Sequence, residues 1–284
     1  MKLSRAWIAI VLAILVATTS GCGVINRIRS KNELNEAARA YRDGRYVEAE
    51  QHSRRSAELD PANKTAPMFI ARSIHAQYRP GVQQPDNIAK AQEAIVAYQQ
   101  IINQNPQNDE AYKAIAYLYG ATKEDTKLRE WISARATDET AEPDKRAQAF
   151  IVLASQDWDC SFKITELPTN KITTIDQASN KATVSYKKPR DQQDFDQAQM
   201  CVKRGLSEVE NAIKYAPDNE SAWSYKTNLL LEASKLAEMA GQSDQKARFQ
   251  EEYQAALKRT TELSELTRKR REEEAAKQAA SPQG

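Results

Sequence analysis

Residues 35–63 read NEAARAYRDGRYVEAEQHSRRSAELDPAN. Ala37 and Tyr41 stand four apart, one helical turn, and Tyr46 and Ala49 stand three apart. Between the two pairs lies Gly44, a residue that enters the left-handed conformation closing a helix without steric cost. Pro61 ends the second segment, because proline lacks an N–H and bars helical geometry in the residue before it. The stretch therefore encodes two antiparallel helices joined by a tight turn. Tyr46 is large enough to fill the gap between them, and Ala49 is small enough to let them cross closely.

The end of that stretch recurs. DPANKTA (60–66), NPQNDEA (105–111) and APDNESA (216–222) share Pro, one residue, Asn, two residues, Ala. Each reads as a helix stop, an Asn able to cap the next helix, and a small residue that seats that helix against its neighbour. Ala37, Tyr41, Gly44, Tyr46, Ala49 and Pro61 fall in one register. That register resembles the tetratricopeptide (TPR) repeat.

The likeness covers about residues 32–263 and fades along the chain. A second unit spans 64–106 with Ala71, Ala94, Tyr98 and Ile101, and carries extra residues 78–86 at its inner turn. A third begins at Asp109 with Ala111, Tyr112, Ile115, Ala116 and Tyr119; its second helix, about 126–135, lacks the Gly and Ala markers. A fourth has Phe150, Leu153 and Ala154, and a fifth has Ala222 and Trp223 but Lys226 at an apolar position. The resemblance implies an all-α, TPR-like α-solenoid of antiparallel helix pairs. Such hairpins stack because none buries its apolar face alone.

The fourth unit is interrupted by an insertion, residues 163–191. Within it 172–176 (ITTID) and 182–186 (ATVSY) are β-branched and alternating, and predict a small β-hairpin with a five-residue loop, 177–181. Helix resumes near Asp194. Cys160 and Cys201 bracket the insertion on helix ends that meet in an antiparallel pair. In an exported protein they would form a disulfide; the alternative is two buried thiols. The two histidines, His52 and His75, lie far from that pair in sequence, which leaves no metal-ligand spacing.

The N-terminus bears on location. Lys2 and Arg5 precede a twelve-residue apolar run, 6–17, which is short for a bilayer-spanning helix. A basic head, a short apolar middle and small residues before a cut form an export signal, residues 1–21. Ser20, Gly21 and Cys22 follow, resembling the lipobox of bacterial lipoproteins, with Thr19 where Leu is usual. That resemblance implies acylation of Cys22, a short tether at 22–31, and anchoring to a membrane facing the periplasm. Gly23 favours the outer membrane by analogy.

Charge and motifs narrow the function. The 284 residues hold 41 Lys and Arg against 39 Asp and Glu; cleavage before Cys22 removes two basic residues and leaves 39 of each. A balanced chain does not present the basic field that nucleic-acid binding needs. Residues 264–284 are a charged tail that loses apolar content. No His-Glu-x-x-His, phosphate-cradling glycine loop or Gly-x-Ser-x-Gly occurs, so neither an enzyme nor a cofactor is expected. The TPR resemblance instead implies a non-catalytic scaffold for protein partners in the cell envelope. Its register projects onto the concave face Tyr41, Arg42, Met68, Arg72, His75, Lys113, Tyr117, Ser155, Trp158 and Asn228, a mildly basic aromatic strip suited to an acidic segment. Tyr117 and Trp158 could equally pack between repeats. Alternative roles are an accessory lipoprotein of outer-membrane protein assembly, or a glycan- or wall-associated enzyme partner with cryptic hydrolytic activity.

Overall fold

The computed structural model describes the backbone of residues 5–176 and 181–280 and the side chains of 23–175 and 182–278. It is all-α apart from one two-stranded sheet, and it is built from TPR-like antiparallel helix pairs of the α-solenoid class. The chain divides into two compact units, Met1–Leu128 and Arg129–Gly284. In the first, α1 (Arg5–Arg42), α2 (Tyr46–Leu59), α3 (Ala66–His75), α4 (Pro85–Gln104) and α5 (Asp109–Ala121) each pack on the next. The boundary falls within α6 (Asp125–Thr137). The second unit has α7 (Pro143–Thr165), strands β1 (Lys171–Asp176) and β2 (Lys181–Tyr186), α8 (Gln192–Tyr215), α9 (Glu220–Met239) and α10 (Ser243–Ala280). There α7 packs on α8 and α9, and α9 on α8 and α10. Among the described residues no helix is long and apolar enough to cross a membrane.

Alanine sets the spacing. Ala37, Ala49, Ala71, Ala94 and Ala111 are fully buried in the first unit, as are Ala147, Ala154, Ala198, Ala212 and Ala222 in the second. Ile74, Ile115 and Leu118 fill the first interior, and Leu153, Val209, Leu229 and Leu230 the second. Burying each such side chain contributes roughly 1.5–3 kcal/mol.

The three proline tails fold alike. The residues closing α2, α4 and α8, Asp60, Asn105 and Ala216, have φ near −140°. In each the Asn three residues on donates its N–H back to that residue's carbonyl, at 2.9, 3.0 and 3.1 Å. Asn108 and Asn219 then cap α5 and α9, accepting from the N–H of Ala111 (2.9 Å) and Ala222 (3.1 Å). The first tail differs: Asn63 accepts from Thr65 N–H at 3.0 Å, and α3 starts at Ala66. Pro67 explains the delay, since a proline is tolerated at the start of a helix, where its missing N–H has no partner to lose, and a start at Lys64 would set it deeper.

Hairpin turns repeat too. Gly44 (φ +77°) and Gly241 (φ +69°) close α1 and α9 in the left-handed conformation, with the following N–H reaching back five residues, Arg45 to Ala40 and Gln242 to Ala237. Lys123 takes the same role after α5, with φ +59° and Glu124 N–H bonded to Tyr119 carbonyl at 2.9 Å. The third unit thus keeps the turn without its glycine.

The insertion is shorter than expected, 166–191 rather than 163–191. The last turn of α7 stays helical because the hydroxyls of Ser161 and Thr165 donate to Glu232 of α9, at 2.9 and 2.7 Å. The hairpin register pairs Lys171 with Tyr186 and Asp176 with Lys181. Lys181 is therefore strand rather than loop, and the intervening residues 177–180 lie outside the described residues. The next helix begins at Gln192, two residues before Asp194, capped by Asp191, which accepts from Gln193 N–H at 2.8 Å. Cys160 and Cys201 join α7 to α8 as a disulfide, with Cα atoms 6.2 Å apart. Through 22–31 the chain is helical, part of α1, and Ser30 is already buried against Ser56. At the other end Ala256 and Leu263 of α10 are buried, and from 264 to 278 the helix is exposed apart from half-buried Thr267.

One buried charge group fixes the hairpin to the helices. Glu232 is 0% exposed, and Lys235 Nζ bridges it (2.6 Å) to Glu166 (2.7 Å). Lys171 Nζ and Tyr186 OH also reach Glu166, at 2.8 and 3.0 Å. Burial alone would raise the Glu166 carboxyl, but its bonds to Lys171, Lys235 and Tyr186 hold it down at about 2. Lys235 is the converse: burial would lower its pKa, and the bonds to Glu166 and Glu232 raise it instead.

Lys123→Gly should raise stability by about 1 kcal/mol, measured by urea unfolding, because it removes the left-handed penalty of a side chain. Lys235→Met should cost about 3 kcal/mol or more, since it strands Glu232 in the interior. The double change Glu232→Leu, Lys235→Met should cost clearly less than Lys235→Met alone.

Candidate partner-binding surface

In the first unit the first helices of successive pairs, α1, α3 and α5, present Tyr41, Arg72 and His75, and Tyr117. With Tyr78, Pro80 and Tyr98 they line a cleft of about 260 Å³. Tyr98, on α4, is 2% exposed and forms its floor, while Tyr117 is 50% exposed at its rim. The His75 ring stands edge-on to Tyr98 at 5.9 Å and tilted against Tyr117 at 5.6 Å. Its Nδ1 lies 3.4 Å from Tyr98 OH. Tyr78 OH donates to Ala121 carbonyl at 3.0 Å, which ties the extra residues 78–86 to α5. Burial pushes the hydroxyl pKa values of Tyr78 and Tyr98 up and that of His75 down, so the cleft is lined by neutral rings.

The cations are arranged differently from the expected strip. Arg72 is held by both oxygens of Glu110, Nε at 2.5 Å and Nη2 at 2.6 Å. Lys113 is paired with Asp109 at 2.8 Å, one turn back on α5. Of the three cations, Arg42 alone has no carboxylate partner among the described residues. It lines an adjoining groove with Tyr41, Phe69 and Arg72. Two pairs within the surface thus cancel most of its basic character, because Asp109 and Glu110 follow the Asn108 cap, where acids favour the helix start. Met68 is half-buried and lines neither cleft.

Ser155, Trp158 and Asn228 belong to the second unit. Trp158 is half-buried, 5.0 Å from the Phe162 ring and 6.2 Å from that of Tyr225. The Ser155 hydroxyl donates to Val152 carbonyl, one turn back on its own helix, at 2.7 Å. Asn228 stands one turn from Tyr225 on α9. Beneath lies Asp157, 1% exposed and paired with Arg129 (3.0 Å) and Arg204 (2.6 Å). Arg204 also reaches Cys201 Sγ at 3.6 Å, so the disulfide and this ion group share an edge. Glu208 lies close by, and burial pushes its carboxyl up. Among the described residues no cluster of three or more His, Cys, Asp or Glu is placed to hold a metal ion. Cys22 lies outside the residues whose side chains are described.

Sequence spacing found Tyr41, Arg72, His75 and Tyr117 but missed Tyr98, Tyr78 and Glu110. Tyr98 sits at a position where the repeat register calls for packing, and Tyr78 in an insertion outside any register. Glu110 could be found only as the residue following an Asn-Asp cap.

No family profile and no curated protein matches the chain. Among solved structures it is similar to MamA, residues 41 to the end, from Desulfovibrio magneticus RS-1, at 13% identity, over 85% of this chain and 96% of that one, with a TM-score of 0.39. A second MamA crystal structure matches at 10% identity over 84% and 94% of the two chains, with a TM-score of 0.37. A tetratricopeptide repeat protein from Parabacteroides merdae matches at 13% over 84% and 99%, with a TM-score of 0.35. Superpositions this loose establish no shared function.

The neutral state of His75 makes a pH test. Its folded pKa lies below the ordinary imidazole value of about 6.5, so the unfolded chain takes up the proton first as pH falls. The stability of the first unit should therefore be full above that value and decline below it. His75→Gln should flatten this acid limb, and in NMR titration the His75 signal should move at lower pH than an unstructured histidine.

Proposed function

We propose that the protein is a non-catalytic scaffold that binds a protein partner through the aromatic cleft of its first unit, in the cell envelope, anchored by an acylated Cys22. The observation that carries the reading is the cleft itself. Four tyrosines and a neutral histidine converge there, and Tyr117 is left half exposed with no hydroxyl partner among the described residues. Rigid aromatic rings supply much contact area at little entropic cost and dominate interface energetics. The envelope setting rests on the basic head, apolar run and Ser20-Gly21-Cys22 of the sequence, and the Cys160–Cys201 bridge accords with an oxidising compartment.

Crosslinking in intact cells followed by mass spectrometry would identify the partner. With that partner, Tyr117→Ala should speed dissociation by roughly tenfold or more, as loss of an aromatic anchor does. Arg42→Glu should slow association and weaken its salt dependence, as rim charges do. If neither change alters binding, the cleft is not the site. Cys22→Ser should release the chain from membranes or leave residues 1–21 attached. An unchanged mass and fractionation would exclude the anchor.

A further inference from the structure

Residues 23–31 form the stretch of α1 that follows Cys22, and their two sides differ. One side is fixed against α2. Ser30 is fully buried, its Oγ 2.8 Å from Ser56 Oγ, Ser56 Oγ donates to Ser30 carbonyl at 2.9 Å, and Asn63 Nδ2 donates to Ser30 Oγ at 3.1 Å. At 3.6 residues per turn, Val24, Ile25 and Ile28 form a stripe centred roughly 165° away from Ser30. All three are exposed, at 58%, 51% and 57%. Lys31 and Arg27 lie beside the Val24 edge of the stripe, and Arg29 beside the Ile25 edge. These cations are exposed and have no carboxylate partner among the described residues. No Asp or Glu occurs before Glu33, and cleavage before Cys22 leaves residues 22–32 with three Lys and Arg and no acid.

We infer that this stripe lies along an anionic lipid surface, so that the helix contacts the membrane as well as hanging from it. An apolar strip with cations on both flanks is the pattern that seats a helix in the headgroup boundary, aliphatic side chains inward and ammonium or guanidinium groups at the phosphates. The occupant follows from the charge. A protein partner for three aliphatic residues would not require the mature N-terminal stretch, 22–32, to be free of acids in a chain that is otherwise rich in them. An anionic surface does, since each acid would be repelled. The fixed opposite face matters equally. Because Ser30 is locked to α2 and Asn63, contact by the stripe would hold the first unit at a set orientation to the bilayer. This rests on the anchor reading, which places the stripe within reach of a bilayer.

The test uses the protein purified from its own membrane and reconstituted into vesicles, with Ile28→Cys carrying a polarity-sensitive fluorophore. With Cys22 acylated and Cys160 bridged to Cys201, position 28 offers the reactive thiol. In vesicles containing phosphatidylglycerol the label should shift to the blue and be quenched by brominated lipid. In phosphatidylcholine alone, or at high salt, it should stay water-like. Combined Arg27→Glu, Arg29→Glu and Lys31→Glu should lower the lipid-contacting fraction on the order of tenfold, with helicity unchanged. A water-like label in anionic vesicles, on chain that remains anchored, overturns the inference and leaves the anchor standing. A label equally buried in neutral vesicles and indifferent to salt and charge reversal overturns it in favour of insertion. An N-terminal peptide of unacylated mass fails the anchor reading itself, whatever the label reports.

Discussion

Everything in this molecule depends on helices approaching each other closely enough for alanine to be the contact residue. Ala37, Ala49, Ala71, Ala94 and Ala111 have no exposed surface at all. A larger side chain at any of them would push two helices apart and open gaps on either side. Dispersion falls off steeply with distance, so small gaps of this kind are costly. The close approach also explains why the turns are so alike. Asp60, Asn105 and Ala216 share one backbone geometry because each must reverse the chain within the few residues that the narrow spacing leaves.

The second unit meets the same constraint with an insertion in the way. A two-stranded ribbon is marginal by itself. Here it is held at its base, where Tyr186 N–H donates to Glu238 at 3.0 Å and Lys187 N–H to Asn170 carbonyl at 2.9 Å. The Lys235, Glu232 and Glu166 group lies directly beneath. Such a group is not a cheap source of stability, since desolvating the charges offsets most of their attraction. Its effect is positional: it admits one placement of the hairpin on α9, and the disulfide fixes the helices on either side.

Function and packing compete for the same side chains. Tyr98 and Tyr117 illustrate the two outcomes, one ring at the floor of the cleft and the other half in water. The neutrality of the cleft has a similar origin. Acids that favour the start of α5 also capture Arg72 and Lys113, so contact area rather than charge distinguishes the surface. The concentrated charge lies elsewhere, on the exposed side of α1 next to Cys22.

The pattern of Ala, Tyr, Gly and Pro determined the helix pairs and the tails, and alternating β-branched residues the strands of the hairpin, because these are local choices made by a few adjacent residues. Asn108 and Asn219 cap where spacing said they would, and Pro67 delays α3 for a reason visible in the sequence. Other features needed distant residues to meet. Ser161 and Thr165 extend α7 only because Glu232, 67 residues beyond Thr165, arrives beside them. Lys123 takes a glycine's conformation because the turn around it is already fixed. Arg72 spends its guanidinium on Glu110, 38 residues away, and Tyr78 enters the cleft from an insertion with no register. Periodicity along a chain reports which face of a helix is apolar. It does not report which charge will stand opposite, and in this protein tertiary packing decided that.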